Sequence, residues 1–342
     1  MSFDPAERRA VGSTGLEVTR LSFGGASIGG LFRPVDEGDA IRVIRHAWDL
    51  GIRSFDTAPL YGYGASERRI GRALADRARR DYVLSTKVGR LVYAPDAIPP
   101  NADIDRQAIA GREDAFYHRT EPVRLVFDYT YDGVLRSIEA SLLRLGLEQI
   151  DVALIHDPDA HWEAAIEGAY PALDRLRREG VVGAIGVGMN QAPMLARFAR
   201  EIDIDVVLMA NRYTLLNQEA LDELLPLCVQ RGIAVLIGGV MNSGILVDPT
   251  SAGRFDYVQA PPDVVARAQR LAAVCSRHGV ELRAAAIQFP LAHPAVASLV
   301  AGVRSIEHLD EYPRAMAMNL PVALWAELRA EGLLHPEAPV PS

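Results

Sequence analysis

The chain has 342 residues, 49% of them hydrophobic, and a net charge of −8, which allows one large barrel domain spanning 1–342 and argues against nucleic acid or an anionic membrane as partner. No apolar run reaches membrane-spanning length, and the opening MSFDPAERRA lacks a secretory signal's apolar core, so the cytoplasm is the expected compartment. The two cysteines, Cys228 and Cys275, sit far apart in apolar helical patterns and read as buried free thiols.

In chain order, RRAVGSTGLEVTRLSFG reads first as a hairpin turning at Ser13-Thr14-Gly15 and suited to close a barrel floor. One pattern then recurs at Gly51, Gly146, Gly180 and Gly232: an amphipathic stretch ends in Gly and a short apolar run follows. Glycine after a helix takes the left-handed conformation that closes it. The run behind it is too short for a helix and too continuous for an exposed strand, so it reads as a strand buried on both faces. Eight strands are predicted: Arg20–Gly24, Ile52–Asp56, Tyr82–Val88, Asp151–His156, Val182–Val187, Asp205–Ala210, Ala234–Gly238 and Ala297–Gly302. Helices are predicted between them at Asp39–Leu50, Ser66–Arg79 with Ser66 as N-cap, Gly133–Leu145, Glu163–Glu179, Ala192–Glu201, Gln218–Gln230, Pro262–His278 and Leu282–Leu291. A last amphipathic helix and a Pro-rich tail end the chain. Eight alternating units predict a (β/α)8 TIM barrel, with an open doubly wound sheet as the alternative.

Two connections exceed what a plain barrel needs, Gly89–Asp132 after the third strand and Gly239–Pro261 after the seventh. Both leave strand C-termini, where barrel enzymes build their active sites. Tyr93, Phe127, Tyr129 and Met241 are the candidate walls of a substrate pocket there, with core packing an equally open reading of each.

Polar residues at the ends of otherwise apolar strands carry the chemistry. Asp56 ends the second strand, with Tyr61 following in DTAPLY; Lys87 ends the third in LSTKVG; His156 ends the fourth in ALIHDPD. Each needs a partner or carries a desolvation cost. Read singly, Asp56 and Lys87 make a structural ion pair, Tyr61 a surface aromatic and His156 a core histidine. Read together they form a proton-transfer set: an ammonium lowers a phenol's pKa, a carboxylate fixes the ammonium, and an imidazole orients the substrate oxygen. That set suits hydride transfer. HDPDAH at 156–161 also has a metal-ligand reading through His156, Asp157, Asp159 and His161. It reads better as a helix start capped by Asp157 or Asp159 with His161 exposed, Asp157 and Pro158 shaping the pocket and no metal bound.

The motifs LSFGG, FDTAPLYGYGASERRIGRAL, LSTKVG, IDVALIHDPD, AIGVGMN and VAGVRSIEHL resemble the aldo-keto reductase family from about Ala10 to Leu333. The resemblance implies a catalytic tetrad at Asp56, Tyr61, Lys87 and His156, and a nicotinamide cofactor. Its nearest branch is the bacterial L-fucose and D-threo-aldose 1-dehydrogenases, with pyridoxal 4-dehydrogenases nearby. The implied reaction oxidises a cyclic sugar hemiacetal at C1 to a lactone; the other readings are pyridoxal oxidation, general aldehyde or ketone reduction, and a cofactor-binding regulatory subunit.

Cofactor contacts are expected from Gly25 in the Gly-rich GASIGG, and from Asn190, one place beyond the family's usual Ser-Asn pair. Asn211 stands beside the usual Gln position, and Gly238 and Gly239 replace the usual stacking aromatic. Arg304 and Ser305 open the helix after the eighth strand, where free N–H groups favour phosphate. The Lys and Arg that grip the 2′-phosphate of NADP in the family are here Gly302 and His308, and the adenine-contacting Asn is Tyr312. NAD is therefore expected at least as readily as NADP. The partner is a small sugar or aldehyde, and the oligomeric state is left open.

Overall fold

The computed structural model describes residues 2–105, 117, 122–250 and 253–342. Eight parallel strands close into a barrel: β3 (Leu21–Gly24), β4 (Ser54–Asp56), β5 (Val83–Val88), β9 (Ile150–His156), β10 (Val182–Met189), β11 (Val206–Ala210), β12 (Ala234–Gly238) and β15 (Val296–Gly302). They follow one another around the barrel in sequence order, as right-handed βαβ crossovers dictate. Every predicted barrel strand is present within two residues at either end. All four helix-closing glycines have positive φ, from 66° to 86°.

The hairpin strands β1 (Arg8–Ala10) and β2 (Glu17–Thr19) pair antiparallel. Val11 and Val18 enter the apolar cluster formed by Val83, Val152, Leu154, Ala184 and Val206. The hairpin thus plugs the N-terminal floor, and the strand C-termini are left as the open end.

The long connection after β5 builds a three-stranded sheet from β6 (Arg90–Tyr93), β7 (Asp103–Ile104) and β8 (Arg124–Phe127). The connection after β12 builds a small hairpin from β13 (Arg254–Phe255) and β14 (Val258–Gln259). Both cysteines are buried and free. Among the described residues no helix is long and apolar enough to cross a membrane.

Several local expectations are corrected. Ser66 is not an N-cap: Gly64 holds that place with φ 85°, and buried Ser66 accepts a 2.8 Å bond from Thr57. That helix stops at Leu74 rather than Arg79; Arg79 turns back to ion-pair with Asp151. The helix predicted at Glu163–Glu179 contains a π-helical stretch, Ala165–Ala169, where Gly168 packs so closely that a Cβ would fall 2.5 Å from the Tyr129 carbonyl. The helix predicted from Gln218 starts at Leu224, because the Gln218 amide bonds to the Thr214 and Leu215 carbonyls instead. Neither Asp157 nor Asp159 caps the helix at Trp162; His161 is its N-cap, without a side-chain bond. His161 is half-buried rather than exposed: its ring packs against both Phe127 and Tyr129, with centroids at 4.7 and 5.0 Å.

Candidate active site

The C-terminal ends of β4, β5 and β9 are neighbours, so Asp56, Lys87 and His156 arrive at one place by register alone: Lys87 pairs with Leu154, two residues before His156. Tyr61 comes from the loop behind β4. The Lys87 ammonium donates to both Asp56 oxygens at 2.8 Å and to the Thr57 carbonyl at 2.9 Å. Asp56 also accepts from Ser85 at 2.7 Å. An ammonium has three donors, and all three are committed within this cluster.

Lys87 therefore meets Tyr61 through the ring face, 4.7 Å from its centroid. Burial, and after it the Asp56 carboxylate, hold the Tyr61 phenol well above its ordinary pKa. The expected lowering by Lys87 does not appear, because Asp56 neutralises that cation at close range. Tyr61 is consequently a protonated donor at neutral pH. The His156 ring meets it edge-on, with centroids 5.9 Å apart. Burial, then the cations of Arg90 and Lys87, push His156 well below its usual pKa. The imidazole is thus neutral, and its Nδ1 has no partner.

Tyr61, Lys87 and His156 face a cavity of about 340 Å³, walled also by Leu31, Leu60, Tyr117 and Tyr257. Tyr117 stacks on Tyr61 at 5.9 Å. The polar side of the cavity is Arg90, Asp105 and Asp157. Arg90 bonds Asp105 at 2.9 Å and the His156 carbonyl at 3.0 Å.

A second cavity of about 470 Å³ shares Ala26, Tyr61, Leu208, Ala210 and Tyr257 with the first. It runs past Asn211, Gly238, Gly239 and Met241 to Gly302, Arg304, His308 and Tyr312. Asn211 is buried, at φ 63°, and neither of its amide atoms is hydrogen-bonded. A Cβ on Gly239 would fall 2.2 Å from Asn211 Oδ1, so only glycine leaves that amide room. An unpaired amide, a glycine-lined wall and an arginine at the far end fit a carboxamide-bearing dinucleotide laid along the cleft.

The sequence profile of the aldo/keto reductase family matches residues 20–331. The chain belongs to that family. As an aldo/keto reductase it is an NAD(P)-dependent oxidoreductase. It is 41% identical to the pyridoxal 4-dehydrogenase of Microbacterium luteolum, covering 98% of this chain and 100% of that protein. It is likewise 41% identical to the D-threo-aldose 1-dehydrogenase of a Pseudomonas species, covering 96% and 98%. A Bacillus halodurans aldo-keto reductase solved in its holo form superposes with a TM-score of 0.72 at 24% identity, over 98% of each chain.

The positions expected for this aldo/keto reductase's cofactor are divided by the fold. Asn190 lines the first cavity; Asn211, Gly238, Gly239, Gly302, Arg304 and His308 line the second. Gly25 lines neither, being packed on Ser66 with its N–H on the Asp56 carbonyl at 2.7 Å. Ser305 lines neither as well, and N-caps the helix Ile306–Ala317 by accepting from the His308 N–H.

Of the expected substrate walls only Met241 lines a cavity, the second one. Tyr93, Phe127 and Tyr129 line neither. Phe127 packs under the Arg90 guanidinium at 4.8 Å. Tyr129 lies beneath Gly89, its hydroxyl donating to the His156 and Asp157 carbonyls at 2.5 and 3.0 Å. These two rings stack on each other, centroids 6.2 Å apart, and brace the strand ends from behind. The walls that sequence reasoning missed are Tyr117 and Tyr257, aromatics of the two long connections, and Arg90, directly after the glycine that ends LSTKVG. Of the residues with a metal-ligand reading, His161 turns to Asp103 at 3.0 Å. Among the described residues no group of three or more His, Cys, Asp or Glu side chains is arranged to hold a metal.

Proposed function

We propose that this enzyme oxidises an aldose at C1 to the lactone, with the nicotinamide cofactor in the cleft taking the hydride. The observation that carries this reading is the meeting of Tyr61 and His156 on one polar cavity continuous with that cleft. The cofactor supplies hydride transfer to or from the carbon held there. Neutral His156 donates to the substrate oxygen and orients it. Tyr61 exchanges the proton with that oxygen, receiving it in oxidation and giving it in reduction. Since the phenol is protonated at neutral pH, oxidation requires prior loss of its proton and so gains with rising pH. The Asp56–Lys87 pair positions Tyr61 by its ring face.

Asn190 and Asn211 would hold the carboxamide, and Arg304 with the start of helix Ile306–Ala317 the phosphates. Glu311, paired with Arg283, lines the adenosine end of the cleft near His308. With that pair closed and Gly302 and His308 at the positions of the family's two phosphate-gripping cations, NAD as a cofactor used at least as well as NADP is supported.

The 41%-identical D-threo-aldose 1-dehydrogenase supports the sugar reading; the equally similar pyridoxal 4-dehydrogenase supports pyridoxal oxidation as the second. A substrate panel followed by reduced-cofactor absorbance separates them. Lactone formed from L-fucose or another aldose with NAD+ is the expected result. Turnover of pyridoxal without any aldose oxidation would replace it with the second reading.

A further inference from the structure

Two buried charge clusters stand at the first cavity, and one of them is closed. Lys87 is matched by Asp56. The other is not balanced: Arg90 stands against two carboxylates, Asp105 at 2.9 Å and Asp157 at 3.5 Å. Arg90 spends its good hydrogen bonds on Asp105 and the His156 carbonyl. Among the described residues Asp157 keeps only longer approaches, at 3.5 Å to Arg90 and 3.4 Å to His156 Nε2, both beyond a good hydrogen bond.

The backbone aims this carboxylate on purpose. Asp157 has φ 42°, a conformation that residues other than glycine rarely adopt, and its N–H is tied to the Gly188 carbonyl at 3.0 Å. Tyr129 holds the Asp157 carbonyl from behind. Local strain of this kind is retained where the surroundings enforce it, and it clusters at ligand sites. It turns the side chain into the cavity beside His156.

We infer that Asp157 determines specificity by accepting a hydrogen bond from a hydroxyl on the carbon next to the reacting carbon. This deepens the proposed dehydrogenase reading and rests on it. The imidazole donor and the carboxylate acceptor lie 3.4 Å apart, which suits two oxygens on adjacent carbons, themselves roughly a hydrogen-bond length apart. One oxygen is the reacting one, held by His156; its neighbour must be a donor, because Asp157 offers only lone pairs. The class selected is a carbonyl compound or lactol with an adjacent hydroxyl. Aldehydes without it forfeit the bond, and substrates with an anionic group there are repelled.

The test compares lactaldehyde with propanal, two three-carbon aldehydes differing by that hydroxyl, in reduction with NADH. The enzyme is compared with Asp157→Asn, which keeps the size and tolerates the left-handed backbone. The wild type should favour lactaldehyde in kcat/KM. Asp157→Asn should lose at least about tenfold on lactaldehyde, as for a hydrogen bond to a charged group, with propanal changed less than about threefold. Cofactor affinity and Tm should stay put, which excludes misfolding as the cause. An equal loss on both aldehydes, or no loss on either, overturns the inference. If the wild type reduces neither aldehyde, the dehydrogenase reading falls by itself. Binding of 1,2-propanediol against 1-propanol to the NADH complex, read by cofactor fluorescence, then decides the Asp157 assignment. A diol preference lost in Asp157→Asn supports it, and no preference refutes it.

Discussion

Two buried ion clusters stand at neighbouring strand ends, and they are built to opposite plans. At Lys87 every ammonium proton is taken, and Asp56 has a serine bond besides. At Arg90 one carboxylate is fully bonded and the other, Asp157, is held at arm's length with part of its side chain open to the cavity. A closed pair gives up its charge to its own partner and becomes a rigid support; its field cannot lower the Tyr61 phenol. An open one keeps a charge available for a ligand. The same residue types, a few ångströms apart, thus do scaffold work in one place and recognition in the other.

Breaking the closed pair should have the largest effect. Lys87→Met leaves Asp56 buried without its cation, a change that typically costs about 3–5 kcal/mol. A fall in Tm by calorimetry together with loss of turnover is expected. Adding Asp56→Leu should restore much of the Tm and none of the activity; activity recovered with stability would show that the pair does not position Tyr61. Tyr61→Phe tests the group this pair supports. It should cost at least about a hundredfold in kcat while leaving the Tm and the cofactor Kd near wild type, and near-native turnover would remove Tyr61 from the proposed mechanism.

The open cluster should announce itself through pH. Burial pushes the Asp157 carboxyl up to about 6, the largest influence on it, against the lowering by Arg90; Asp159 and Asp105 raise it further and Lys87 lowers it. The carboxylate that accepts the substrate hydroxyl is therefore present above this pKa and lost below it. KM for a hydroxylated substrate should rise as pH falls through about 6, and Asp157→Asn should flatten the profile. His156 is pushed the opposite way, well below its usual pKa, by burial and then by Arg90 and Lys87. An unchanged KM from pH 7 to 5 would show that the charge is not used.

The smallest effect is expected at the far end of the cleft, where Arg304 is half-buried beside Arg33. Arg304→Ala should weaken both cofactors modestly. A wild-type preference for NADP+ in kcat/KM, abolished by that change, would mean that Arg304 grips a 2′-phosphate.

Most of this architecture was legible because it rests on local rules. The apolar runs behind Gly51, Gly146, Gly180 and Gly232 became strands, since a glycine-closed helix leaves the next segment nowhere to go but the sheet. Asp56, Lys87 and His156 could be placed together because neighbouring strands in a parallel barrel end at the same level. The loops were not legible in this way. Phe127 ends a strand whose pairing with β6 decides which face its ring takes, Tyr129 follows just beyond it, and a long connection's composition does not encode that choice. The phenol pKa was misjudged for a related reason. That neighbouring strand ends bring a cation beside a phenol says nothing of how many of the cation's protons are already spoken for.

The hairpin that plugs the barrel floor has a further consequence. With β1 and β2 filling that end, the two cavities gather at the strand C-termini, and they share Tyr61, Leu208, Ala210 and Tyr257 as a common wall. A side chain reshaped on that wall alters both rooms at once, so an exchange at Leu208 or Tyr257 is felt on the cofactor side and the substrate side together.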